Sequence, residues 1–142
     1  MNIFKLSEAA NLAVHATAFI ATHGQSDTPI SAVEIAATIG CSRDHLNKVL
    51  QRLNRVGLVS SRRGPKGGFV LARDPHGLTL LELIELFDGP VQAPHCLLGR
   101  TLCASGCPLH NVACSVNDVV RRALESTPVS ELPAVPRKLA AS

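Results

Sequence analysis

Three cysteines and a histidine, Cys96, Cys103, Cys107 and His110, crowd into one short stretch of the chain. Iron–sulfur clusters want thiolates, and one histidine in place of a thiolate raises the potential. Tetrahedral zinc accepts the same Cys3His set as a structural site, and free thiolates can act by reversible oxidation. Cys107 and His110 stand three residues apart at the start of a helix, a spacing that points both to one side. Cys114 lies one to two turns further on, as a spare ligand, whereas Cys41 beside Gly40 reads as a small buried filler. Five cysteines are an odd count and a poor disulfide framework, so metal, cluster or redox chemistry is the first expectation. No pocket-building α/β pattern or orienting acid accompanies the thiols, which argues against an enzyme.

A second constellation is basic. Between Cys41 and Arg73 the chain carries Arg43, Lys48, Arg52, Arg55, Arg62, Arg63, Lys66 and Arg73 against Asp44 alone. The whole chain has a net charge of only +3, so the remainder is acidic. Positive charge concentrated on one segment is the footprint of phosphate binding, which uniform basicity would not be.

These groups need elements to position them. Ser7 caps a first helix on which Leu6, Ala9, Ala10, Ala13, Thr17 and Ile20 share a face, ending at His23-Gly24. Leu12 and Phe19 lie on the other side with Glu8, Asn11 and His15, so this helix should meet something on both sides. Ser31 with Glu34 makes a capping box for a short helix through Ile39, stopped by Gly40. Ser42 caps the next helix, with Leu46, Val49, Leu50 and Leu53 inward and Asp44, Lys48, Gln51 and Arg55 outward. Two short helices joined at a glycine, the second basic outside, predict a helix-turn-helix.

Strands over Leu58–Ser61 and Phe69–Leu71 around Gly64-Pro65-Lys66-Gly67-Gly68 predict a hairpin wing bearing Arg62, Arg63 and Lys66. Thr79 opens a helix ending at Asp88-Gly89-Pro90. Beyond the cysteines, Val112, Val116, Val119, Val120 and Ala123 keep helical spacing between Leu109 and Leu124. So long an apolar face cannot bury itself in so small a domain, and it is read as a homodimer helix.

The fold expected is mainly α with a small β-hairpin wing: a winged helix-turn-helix followed by a long C-terminal dimerisation helix. Residues 1–90 form the DNA-binding domain, 91–126 the cysteine loop and dimer helix, and 127–142, with Pro128, Pro133 and Pro136, a flexible tail. A hydrophobic content of 46% is ample for one core. With neither a secretion signal nor an apolar run long enough for a bilayer, the chain is expected in the cytoplasm and away from membranes.

With these motifs the sequence resembles the Rrf-two type of winged-helix transcriptional regulators, the family of IscR-like and NsrR-like iron–sulfur sensors. The resemblance spans nearly the whole chain. It is carried by the leucine-spaced run from Ser42 through Gly57-Leu58-Val59, the R-G-x-x-G-G wing from Arg63 to Gly68, and the cysteine loop before a dimerising helix. It implies DNA contacts starting at Ser42, base-edge contacts from Arg43, Asp44 and Asn47, and Arg63 in a minor groove. The side-chain chemistry agrees with both assignments. Lys48, Arg52, Arg62 and Lys66 then become phosphate anchors.

In IscR-like members a Cys-Cys-Cys-His set of this order holds a 2Fe–2S cluster, with 4Fe–4S as the alternative. Here Cys107-Pro108-Leu109-His110 matches closely, while the gaps on either side of Cys103 differ from the IscR pattern. Related sensors also imply a ligand from the first helix of the other subunit, for which His15 and Glu8 are the candidates. Asn11 stands where that branch has its glutamate. The function expected is a dimeric repressor of a palindromic double-stranded operator, controlled by a cluster that senses redox state, nitric oxide or iron–sulfur status. The alternative is a zinc-stabilised or thiol-switched regulator without a cluster.

Overall fold

Hydroxyls begin four of the helices. In the computed structural model, which describes residues 4–24, 28–92 and 106–133, Ser7 Oγ accepts the Ala10 N–H at 3.0 Å to open α1 (Glu8–His23). Ser31 Oγ accepts from Glu34 for α2 (Ala32–Ile39), Ser42 Oγ from His45 for α3 (Arg43–Arg55), and Thr79 Oγ1 from Glu82 for α4 (Leu80–Asp88). Each satisfies one of the amide donors that a first turn leaves without a helical partner. A fifth helix, α5 (Pro108–Ser126), starts at Cys107 with no side-chain cap and takes proline at its first position.

Gly40 closes α2 at φ +79°, a left-handed conformation that spares glycine the penalty a β-carbon would bring, and the chain turns there into α3. Strands β1 (Val59–Arg62) and β2 (Gly68–Leu71) pair antiparallel in the register Val59↔Leu71 to Arg62↔Gly68. The wing is therefore present, its first strand one residue later than the pattern predicted. Phe69 also exchanges backbone hydrogen bonds of 3.0 and 2.8 Å with Ile30, just before α2. That bridge seats the hairpin on the helix-turn-helix.

The core lies around α1. Phe19, Ile20, Ile30, Ile35, Leu46, Leu50, Leu53, Leu78 and Leu83 are its largest enclosed side chains, and α1 touches α2, α3, α4 and β2. Leu12 and Phe19 are buried with the rest, so most of α1 is covered from both sides within one chain. Asn11 and His15 remain exposed. Among the described residues no helix is long and apolar enough to cross a membrane.

The expectation of a loose tail from residue 127 needs correction over its first part. Val129 begins a 3-10 turn (Val129–Glu131) and is 1% exposed, with its amide bonded to the Leu78 carbonyl at 2.8 Å. Leu80 N–H in turn donates to Thr127 O at 3.0 Å. The proline-rich composition predicts looseness, but one valine enclosed against α1 and three backbone bonds, the third from Ser130 N–H to Pro75 O, hold the segment down. The part of the proposed tail from 134 onward lies outside the described residues.

Candidate DNA interface and the thiol-bearing helix

Burial divides α3 into faces. Leu46, Val49, Leu50 and Leu53 are enclosed, while Arg43, Asp44, Lys48, Gln51, Asn54 and Arg55 are exposed and Asn47 half-buried at the margin. Ser42 is also exposed, its hydroxyl oxygen accepting the His45 N–H at 3.2 Å. The predicted reading residues thus share the first turns of one accessible helix. On the wing, Arg62, Arg63 and Lys66 are all exposed. Among the described residues the ion pairs engage Arg73 and Arg121 and a further acidic contact engages His45, and none uses Arg43, Lys48, Arg55, Arg62, Arg63 or Lys66. Those cations retain their charge for an outside anion.

Gly67 and Gly68 let the wing lie close to its neighbours. A β-carbon on Gly68 would overlap the Ile30 carbonyl, and one on Gly67 would strike the hairpin's own backbone at Arg62 and Gly64. The glycines therefore fix the angle at which Arg62 and Arg63 leave the domain.

Arg52, expected as a phosphate anchor, is exposed like the other cations of α3 and also makes contacts within the chain. Its guanidinium donates to the Leu86 carbonyl and lies over the Phe87 ring, 4.9 Å from the centroid. The reason lies in two places. Arg52 is on the flank of α3 that faces α4, and Leu86 O would bond an amide at position 90 if α4 continued, where Pro90 has none.

Glu8 is likewise occupied within its own chain. Its Oε1 is 3.3 Å from His45 Nδ1. Cys41, expected as a buried filler, is half-buried against the core. Partial burial, with the Glu8 carboxylate adding to it, raises the thiol's pKa above its ordinary value.

On α5, Cys107 and Cys114 are free, half-buried thiols, and Cys114 Sγ is 3.4 Å from His110 Nε2. Cys96 and Cys103 lie outside the described residues. Among the described residues no three His, Cys, Asp or Glu side chains come together as a ligand set. The donor chemistry at the start of α5 nonetheless fits an iron–sulfur group: a thiol at the cap makes no competing capping bond, and an imidazole stands one turn on.

Sequence reasoning placed the end of α4 but missed what its last turn touches. Glu85 Oε1 accepts the Val91 N–H at 2.9 Å and lies 3.5 Å from Arg121 Nη1 of α5, while Asp88 Oδ2 accepts the Ser7 N–H at 2.9 Å. The only signal was a pair of acids flanking an apolar pair before Gly89-Pro90.

The surface of α5 is unusual. None of its residues is buried, and Leu109, Val112 and Val119 are 49%, 61% and 66% exposed.

Residues 6–134 match the Rrf2 family model, described as an iron-dependent transcriptional regulator. The transcriptional regulator IscR of Photorhabdus laumondii is 33% identical over 130 residues, covering 90% of this chain and 78% of that protein. Its counterpart in Xenorhabdus nematophila is 32% identical over the same shares. Among solved structures, CymR, the global cysteine regulator of B. subtilis, superposes with a TM-score of 0.73 at 26% identity, covering 90% of this chain and 95% of CymR. IscR of T. potens does so with 0.72 at 25% identity, covering 90% and 85%. Relatives of this kind are regulators of transcription and not enzymes.

Proposed function

We propose that this chain, which belongs to the Rrf2 family of transcriptional regulators, binds a palindromic operator as a homodimer and adjusts its grip through an iron–sulfur group held near the start of α5. The observation that carries the DNA half of this reading is the charge left unpaired among the described residues. Arg43 and Lys48 on α3 and Arg62, Arg63 and Lys66 on the wing face outward from two elements that the Ile30–Phe69 bridge holds together, with Asn47 at the margin of the same face. Arg43, Asp44 and Asn47 read base edges, Arg63 enters a minor groove, and Ser42, Lys48, Arg62 and Lys66 meet phosphates.

Residues 1–90 supply DNA binding and 91–126 supply sensing and pairing. The exposed valines of α5 seat against the same helix of a second copy, which gives the two recognition helices the two-fold relation a palindrome requires. Cys96, Cys103, Cys107 and His110 are the ligands. His15, exposed on α1, is a candidate ligand toward the partner. A bound cluster of the 2Fe–2S kind, or 4Fe–4S in its place, supplies electron transfer and sensitivity to oxidants and nitric oxide. The chain's own part is to hold Cys107 and His110 on one side of α5, so that a change at the ligands is felt by the helix that sets the dimer.

A second reading, a thiol switch or zinc site without a cluster, draws support from the 3.4 Å approach of Cys114 Sγ to His110 Nε2. Anaerobic purification separates the two. Visible charge-transfer absorption with iron and acid-labile sulfide supports the cluster; a colourless protein with stoichiometric zinc, or with neither metal, overturns it.

A further inference from the structure

Four consecutive residues at the end of α4 reach four different parts of the molecule. Glu85 takes the Val91 amide, where the chain leaves for the cysteine-bearing segment, and pairs with Arg121 of α5. Leu86 and Phe87 hold Arg52 of the recognition helix through a carbonyl and a ring face. Asp88 accepts the Ser7 amide at the start of α1. Successive helical residues point about 100° apart, so one turn can address neighbours on every side.

We infer that this turn couples α5 to the recognition helix, with Glu85 as the positioning residue at one end and Arg52 as its counterpart at the other. The link is short and stiff. Glu85 and Leu86 are neighbours in a hydrogen-bonded helix, and the Glu85 carbonyl is itself tied to the Gly89 amide at 3.0 Å. A displacement of Arg121 or Val91 that pulls on the Glu85 carboxylate therefore moves the Leu86 carbonyl and the Phe87 ring with it. Pro90 strengthens this arrangement because it withholds the amide that would otherwise satisfy Leu86 O, leaving that acceptor for Arg52. Arg52 adds an attraction to the ring face that lysine would match less well. Its charge, lodged against α4, serves the orientation of α3 and not the phosphate backbone.

The inference rests on the proposed control of DNA affinity by a group bound near α5, and its test separates the two. The full-length protein is purified anaerobically and titrated against a duplex that the wild type selects from a random pool, before and after iron chelation. The wild-type affinities should differ between the two states by roughly 5- to 150-fold, the usual span of allosteric coupling. In Glu85→Ala the ratio should fall below about 3-fold, with visible absorption as in the wild type. Glu85→Gln keeps an acceptor for Val91 but not the charge facing Arg121, and should give an intermediate ratio even if the alanine variant fails to fold. Arg52→Gln should reduce the ratio as well, with the salt dependence of binding unchanged.

A wild-type ratio of one would overturn both readings. A normal wild-type ratio that persists in both Glu85 variants would overturn the coupling turn alone. A salt slope that drops by about one in Arg52→Gln would return Arg52 to the phosphate contacts and remove the far end of the relay.

Discussion

Glu8 Oε1 lies 3.3 Å from His45 Nδ1 and ties the first turn of α1 to the first turn of the recognition helix. Glu8, a candidate ligand toward a partner subunit, thus also has a contact within its own chain while staying exposed. Glu8→Gln should leave the anaerobic visible spectrum unchanged and lower stability in urea by less than about 1 kcal/mol, as expected for an exposed pair. His15→Ala should alter that spectrum, since His15 faces outward from α1. An identical spectrum would exclude His15 from the ligands.

Arg63 stands exposed on the wing and outside the described ion pairs. Arg63→Ala should weaken operator binding whether or not iron is bound, with a smaller salt slope. Asn47→Ala should cost about 1–3 kcal/mol and relax preference at one base pair of each half-site, read from binding to single-substituted duplexes. Equal affinity for every duplex, matching the wild type, would place neither residue on DNA.

Val112 and Val119, both more than half exposed on α5, should meet the same helix of a second copy. Val119→Asp would bring two carboxylates into that seam, and sedimentation should show a monomer at concentrations where the wild type is dimeric. A variant that still dimerises would place the interface elsewhere.

Much of this architecture was legible in the chain because it is local. Ser7, Ser31, Ser42 and Thr79 each cap the helix that apolar spacing predicts, Gly40 makes the turn between α2 and α3, and the glycines around Lys66 shape the wing. What escaped depends on long-range pairing. Arg52 and Lys48 are equally basic and both exposed on one helix, and only the position of α4 gives Arg52 a carbonyl and a ring to rest against. Val129 sits in a proline-rich segment, and its burial follows from a bond to Leu78 that no periodicity encodes. For the candidate ligands, the spacing of Cys107 and His110 was visible, whereas their relation to Cys96 and Cys103 lies outside the described residues.

Val129 offers a direct check of the corrected tail. Val129→Ala removes two enclosed methyl groups and should destabilise the domain by about 2 kcal/mol in urea denaturation. A loss near zero would mean that the segment after α5 contributes nothing to the core.

The most direct single measurement is a fluorescence anisotropy titration of the selected duplex with anaerobically isolated protein, repeated after iron is removed by a chelator. Two saturable isotherms separated by at least 5-fold in midpoint are expected, the lower bound of typical coupling. Superimposed isotherms would contradict control by a bound iron–sulfur group, and failure to bind any duplex at low ionic strength would contradict the DNA interface itself.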